Sequence, residues 1–127
     1  MSLQAITVTL NPAIDQTIQL DRLQPGAVHR ASSVRNDAGG KGINVSRALA
    51  LAGAPTLAVL PASSGDPLLS ALAQADVAHR AVDLPGRVRT NITLTEPDGT
   101  TTKINEPGAL LDDDAQLACL AAVRDAV

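Results

Sequence analysis

Residues 37–53, DAGGKGINVSRALALAG, constrain the fold more than any other stretch. Two adjacent glycines, Gly39 and Gly40, open a helix that runs from about Lys41 to Ala52. Gly53 then stands where a left-handed C-terminal cap is favoured, with Pro55 just beyond. A helix with both ends marked must pack its apolar stripe on something, and the next segment supplies it: Thr56 to Leu60 is a short apolar strand. Asp66-Pro67 follows, an N-cap with proline at the first helical position, starting a helix that carries Leu68, Leu69 and Leu72. Upstream, Ile6 to Leu10 alternates apolar and Thr side chains, the period of a strand. Strand, helix, strand, helix predicts a parallel α/β core.

The flanking segments predict a second, smaller sheet. Asn11-Pro12 ends the first strand, because proline donates no ladder hydrogen bond. Gln16 to Asp21 and Val28 to Val34 alternate weakly around Gln24-Pro25-Gly26 and read as strands exposed on one side. Thr90 to Thr95 and Thr101 to Asn105 flank Pro97-Asp98-Gly99, which fits a type I turn followed by glycine in the left-handed conformation. That turn sets a register: Glu96 faces Thr100, Thr93 faces Lys103 and Asn91 faces Asn105. Period two then places Arg87 and Arg89 on the face of Asn91, and Ile92, Leu94, Thr102 and Ile104 on the other. Asp113, with Gln116 three residues on, makes a capping pair for a last helix running to Val127.

Composition narrows the function classes. The 127 residues suffice for one modest domain, and Phe, Tyr and Trp are all absent, so the core must be aliphatic and no Phe, Tyr or Trp ring is available to stack on a base. Ten basic against thirteen acidic residues, scattered along the chain, give a net charge of −3 and argue against a nucleic-acid partner. No apolar run approaches the roughly 20 residues of a membrane span. Cys119 is the single cysteine, so no disulfide framework and no cysteine metal site can form within the chain, and a reducing, cytoplasmic compartment is expected. Met1-Ser2-Leu3 reads as an added leader.

Several residues are candidates for chemistry. The glycine-opened helix matches neither the Walker loop nor the dinucleotide fingerprint, since Val45 stands where the latter needs its third glycine. What it offers is physical: close backbone approach, free amides, the positive end of a helix dipole, the charge of Lys41, and Asn44 one turn in. A tight strand-to-helix turn beside a solvated lysine fits the same residues. Asp15, five residues past the first strand, stands where open α/β sheets place ligand groups, or else caps a turn. Arg87, Arg89 and Lys103 would suit an anion, or else form a solvated face. His29 and His79 have no second ligand at metal spacing. Asp112-Asp113-Asp114 complements a helix dipole and needs no metal.

Taken together, TVTLNPAID, GAVHR, AGGKGINVSRALALAG and TNITLTEPDGTTTKINEPG resemble the ribokinase-like carbohydrate kinases, and within them the phosphofructokinase B branch. The resemblance implies the N-terminal portion of a ribokinase-like, Rossmann-like α/β domain with a small β-sheet lid, the lid segments lying at about 16–35 and 88–106. It implies that Asp15 contacts sugar hydroxyls, that Gly39, Gly40 and Asn44 line the sugar pocket, and that Lys41, Arg89 and Lys103 neutralise a phosphate already on the sugar, with Arg30 a further addition. The implied activity is transfer of the ATP γ-phosphoryl, with Mg²⁺, to a ketohexose phosphate such as fructose 1-phosphate.

Members of that family are more than twice as long. Their catalytic Gly-x-Gly-Asp segment, magnesium-linked Asn-x-x-Glu element and adenine pocket have no counterpart here, so the resemblance implies no catalytic residue in this chain. Alone the chain is expected to be inactive, its partner being the missing C-terminal half of the kinase, with a homodimer through the lid or the exposed sheet. A noncatalytic sugar-phosphate binding module and a ribose or nucleoside kinase are the alternatives.

Overall fold

The structure is a computed structural model that describes residues 3–127, so the leader reading at Met1 and Ser2 lies outside the described residues. The elements follow in the order β1 (Ala5–Val8), β2 (Ala13–Gln19), β3 (Ser33–Gly39), α1 (Lys41–Leu51), β4 (Thr56–Pro61), α2 (Pro67–Gln74), β5 (His79–Val82), β6 (Arg89–Thr95), β7 (Thr101–Asn105) and α3 (Asp113–Ala126). They make two sheets. Strands β1-β4-β5 form a parallel three-stranded core sheet, and β3-β2-β6-β7 form a four-stranded mixed sheet in which β2 and β6 are parallel. The chain passes between the mixed sheet and the core layers four times: after β1, after β3, after β5 and, into α3, after β7.

The predicted local signals explain the helices. Gly40 is the N-cap of α1, with a φ of 123° that glycine tolerates, and Gly53 sits at φ 76° just past the helix end. Asp66 caps α2, accepting from the Leu68 amide at 2.9 Å, with Pro67 at the first helical position. On α3 the cap is Asp112, one residue earlier than the Asp113 expected from spacing. Asp112 accepts from the Ala115 amide at 2.8 Å, while the Gln116 side chain donates to the Leu111 carbonyl at 3.0 Å. The carboxylate nearest the first free amides takes the cap, and Asp113 and Asp114 are left to complement the dipole.

The core is built without aromatic rings. Ile43 of α1 and Leu68 and Leu72 of α2 pack against Ala58 and Leu60 of β4, together with Ala38, Ala62 and Val77. Val59, between Ala58 and Leu60, is equally buried and points to the opposite face, and α3 packs against β1, β4 and β5. A buried chain of hydroxyls ties α1 to this sheet: Ser46 Oγ lies 2.7 Å from Thr7 Oγ1 and 2.8 Å from Thr56 Oγ1. A hydroxyl can donate and accept, so Ser46 serves both threonines and the row pairs polar groups inside an apolar layer.

Two strand expectations need correction, and one further strand is unexpected. Asn11-Pro12 does not introduce a long turn: β2 begins at Ala13, not Gln16, and Asp15 lies inside the strand. The next strand is Ser33–Gly39 rather than 28–34, running straight into α1. Its sequence, SVRNDAG, has no apolar alternation because it is a solvent-exposed edge. Finally, β5 is a four-residue edge strand for which the sequence carries no distinct signal. The β6–β7 register, by contrast, matches the turn-derived pairing at all three positions: Glu96 with Thr100, Thr93 with Lys103 and Asn91 with Asn105.

Candidate functional site

Register builds the site. Antiparallel β3–β2, parallel β2–β6 and antiparallel β6–β7 pairing align Arg35, Thr17, Thr93 and Lys103 in one row across the mixed sheet. The next row on the same face is Asp37, Asp15, Asn91 and Asn105, and the one below is Gly39, Ala13 and Arg89. The upper two rows, joined by Arg47 from α1, line an open concavity of ≈ 390 Å³. Period two sends Ile14, Ile18, Ile92, Leu94 and Ile104 to the opposite face.

The charges in this concavity are not equivalent. Asp37 accepts from Arg35 Nε at 2.9 Å and lies 3.9 Å from Arg47, which also donates to the Ala38 carbonyl at 3.1 Å. Its charge is already answered. Among the described residues neither Asp15 nor Lys103 has an ion-pair partner, and the one hydrogen bond to Asp15 is from Asn91 Nδ2 at 3.5 Å. The Asn91 carboxamide oxygen is buried without a donor. A carboxylate, an unsatisfied amide acceptor and a free ammonium on one face can hold a polyol that also bears an anion.

The glycines keep that carboxylate in place. A Cβ on Gly39 would collide with the Asp15 carboxylate, and one on Gly42 would meet Thr9 Oγ1 at 2.5 Å and the Val8 carbonyl oxygen at 2.9 Å. The strand-to-helix turn therefore approaches both β1 and β2 more closely than any side chain allows. No side chain caps α1, and no acidic residue sits in its first turn.

The predicted residues divide between several places. Asp15 and Lys103 line the concavity, and Gly39 abuts Asp15 from beside it. Lys41 and Asn44 are exposed on α1 and, like Gly40 just before Lys41, are not part of its lining. Arg89 belongs to the polar face by register, but its guanidinium donates to the Asn11 carbonyl at 3.2 Å and lines a separate cleft between the sheets with Leu10, Pro12, Val88 and Leu111. Arg30 lies in a groove with Arg22 and His29. Sequence reasoning misses Arg35, Asp37 and Arg47, because it places β3 too early. Counting back by two from Gly39 puts Asp37 and Arg35 on its face, and is the signal that could have found them.

Below the concavity, three of the four crossings are tied together. Glu106, the first residue after β7, accepts from Arg87 at 3.0 and 2.9 Å in a bidentate pair and from the Thr90 amide at 2.6 Å. The Val88 amide donates to the second oxygen of the α2 cap, Asp66, at 2.9 Å. Asn11 Nδ2 reaches the Pro107 carbonyl at 3.1 Å. The hydrogen bonds from Arg87, then that from Thr90, then the Arg87 charge hold the Glu106 carboxyl down to about 2.

Against known proteins, the model of the pfkB family carbohydrate kinases matches residues 8–126. The chain belongs to the pfkB family of carbohydrate kinases. It is 58% identical to a 1-phosphofructokinase of Xanthomonas campestris pv. campestris, the match covering 87% of this chain and 36% of that protein. Its fold superposes on Escherichia coli phosphofructokinase-2 in complex with fructose-6-phosphate with a TM-score of 0.88 at 28% identity, over 97% of this chain and 42% of the other. The tetrameric inhibited form of the same enzyme gives 0.87, over 98% and 42%. This pfkB chain thus spans well under half the length of the relatives it matches. Its two sheets are the N-terminal portion of the ribokinase-like fold expected from the sequence.

Proposed function

We propose that this chain is the sugar-binding part of an ATP-dependent phosphosugar kinase, and that the whole enzyme transfers the ATP γ-phosphoryl to a ketohexose phosphate of the fructose 1-phosphate type. The observation that carries this reading is the placement of Asp15 and Lys103 in one concavity on the same face of a sheet, neither answered by another charge among the described residues, in a chain of the pfkB family. Asp15 and Asn91 would take sugar hydroxyls, and Lys103 the phosphate already on the sugar. Gly39, Gly40 and Asn44 would border the sugar, and Lys41 and Arg89 would complete the cationic rim when the mixed sheet, acting as a lid over segments 16–35 and 88–106, closes on α1.

The chemistry belongs elsewhere in the enzyme. Phosphoryl transfer depends on positioning and charge neutralisation, and the base and oxyanion donors expected for it are not matched in this chain. Among the described residues no group of three or more His, Cys, Asp or Glu side chains is placed to hold a metal ion. The free edge of β1 and the exposed Val45 and Leu51 of α1 and Leu117 and Leu120 of α3 suit coverage by the missing half. The outer face of the mixed sheet, with Val34 and Ile104 more than half exposed, suits a second copy. No helix among the described residues is long and apolar enough to cross a membrane, and a cytoplasmic setting fits the free, buried Cys119.

Titration calorimetry tests the assignment on the full polypeptide. Fructose 1-phosphate should bind, Lys103→Met should weaken it about tenfold or more by loss of a charge-assisted contact, and unphosphorylated fructose should be indifferent to that change. A preference for the unphosphorylated ketose would refute the phosphosugar reading and favour a plain sugar kinase.

A further inference from the structure

The β6–β7 ladder gives way to a side-chain contact at its inner end. Continuing the register beyond Asn91 and Asn105 would make Thr90 and Glu106 the next hydrogen-bonded pair. At that point the Glu106 side chain takes over: its Oε1 accepts the Thr90 amide, and both oxygens grip Arg87, three residues before Thr90 on the entry to β6. Arg87 Nη1 also lies 3.3 Å from the Val88 carbonyl, and the Val88 amide is held by the buried Asp66. The segment entering the mixed sheet is therefore bonded on one side to the core helix α2 and on the other to the segment leaving it.

Thr90 lies between Arg89 and Asn91, the two β6 residues that face the polar side at this level. Arg89 reaches the β1–β2 crossing at Asn11, and Asn91 reaches Asp15. We propose that the Arg87–Glu106 pair is a clasp that positions the start of β6, so that Asn91 and Asp15 are aligned for the sugar; the two are positioning residues, not catalytic ones. The inference rests on the reading of the polar face as the sugar site.

Surface exposure makes the clasp a poor source of stability: the Arg87 and Glu106 side chains are 68% and 39% exposed, and exposed pairs add little to folding. Its bidentate geometry fixes orientation instead. Glu106 should matter more than Arg87, because removing it takes away the acceptor for Thr90 as well.

The test uses the full polypeptide and two readouts. In steady-state kinetics with fructose 1-phosphate, Glu106→Ala should raise KM for the sugar about three- to tenfold, the span expected for losing an exposed set of charge-assisted hydrogen bonds. The KM for ATP should stay within about twofold. Glu106→Gln, which keeps an acceptor for Thr90, should recover most of the loss, and Arg87→Ala should fall between. Hydrogen exchange, which needs no turnover, should show faster exchange at Thr90–Ile92 in Glu106→Ala and unchanged exchange in β4. If the wild type ignores phosphosugars but exchange changes as stated, the sugar assignment fails and the clasp stands. If exchange at Thr90–Ile92 is the same in wild type, Glu106→Ala and Arg87→Ala, or if KM for both substrates and the melting temperature shift together, the clasp is refuted.

Discussion

Replacing Gly39 by alanine would put a methyl group where the Asp15 carboxylate now lies. The carboxylate is the end of a short side chain with one long hydrogen bond, from Asn91 at 3.5 Å, so rotating it away costs the fold little, about 0.5 kcal/mol. The same change three residues on should behave differently. An alanine at Gly42 would meet the Val8 carbonyl oxygen at 2.9 Å and its carbon at 3.2 Å, main-chain atoms of the core sheet that cannot swing aside. Overpacking of that kind costs about 1–3 kcal/mol, offset by up to about 1 kcal/mol from the better helix propensity of alanine. Gly42→Ala should therefore lower the urea midpoint. Gly39→Ala should leave it nearly unchanged and yet lose the Asp15 contacts to the sugar, worth about 1.5–3 kcal/mol, or roughly 10- to 150-fold in Kd. Urea denaturation and calorimetry with fructose 1-phosphate on the full polypeptide separate the two. Normal sugar binding by Gly39→Ala, or a larger loss of stability for it than for Gly42→Ala, would refute the argument that this glycine serves the carboxylate.

Asp66 is buried and accepts two amides on different elements, so Asp66→Ala should cost about 2–4 kcal/mol by thermal or urea unfolding. Asp66→Asn, which keeps one acceptor oxygen, should cost less. The Glu106 carboxyl is held down to about 2 from its ordinary 4.5, so its contribution to stability is fully present above about pH 4.5 and is lost as pH falls towards 2. The difference in urea midpoint between wild type and Glu106→Gln, small because the pair is exposed, should be flat from pH 5 to 8 and shrink only in that acid window. Lys41→Met tests a residue placed at the pocket by resemblance rather than by the lining of the concavity. A loss of fructose 1-phosphate affinity as large as that from Lys103→Met would show that α1 and the mixed sheet close on one ligand, and no loss would remove Lys41 from the site.

What could be read from the sequence follows from which forces are local. The ends of α1 and α2 are set by Gly40, Gly53, Asp66 and Pro67 acting on their own neighbours, and the β6–β7 register by a three-residue turn; all are legible. The position of β2 is not. It sits between β3 and a β6 strand distant in the chain, and the parallel pairing of Ala13–Gln19 with Arg89–Thr95 leaves no mark near Asn11-Pro12, where the local signal says stop. Edge strand β3 escapes because its side chains, exposed through Asn36, carry no period for burial to impose. The site inherits this division. Of the residues lining the concavity, the sequence singles out Asp15 and Lys103, while Asp37 and the two arginines that answer it at the β3 edge, Arg35 and Arg47, escape with that strand.

The mixed sheet also has to keep two faces distinct with few apolar contacts of its own. Side chains alternate strictly, so a one-residue slip of β2 against β6 would turn Asp15 and Thr17 to the outer face and bring Ile14, Gln16 and Ile18 to the polar one. Most of that sheet is only half buried, so burial alone penalises the slip weakly. The stronger restraint is at the base, where Ala13 and Ala38 are buried and Ile14 packs against the core cluster. From there the alternation propagates outward along each strand. The alignment of Asp15 with Asn91 is thus decided where the sheet meets the core, which is also where Asn11, Thr90 and Glu106 make their hydrogen bonds between segments.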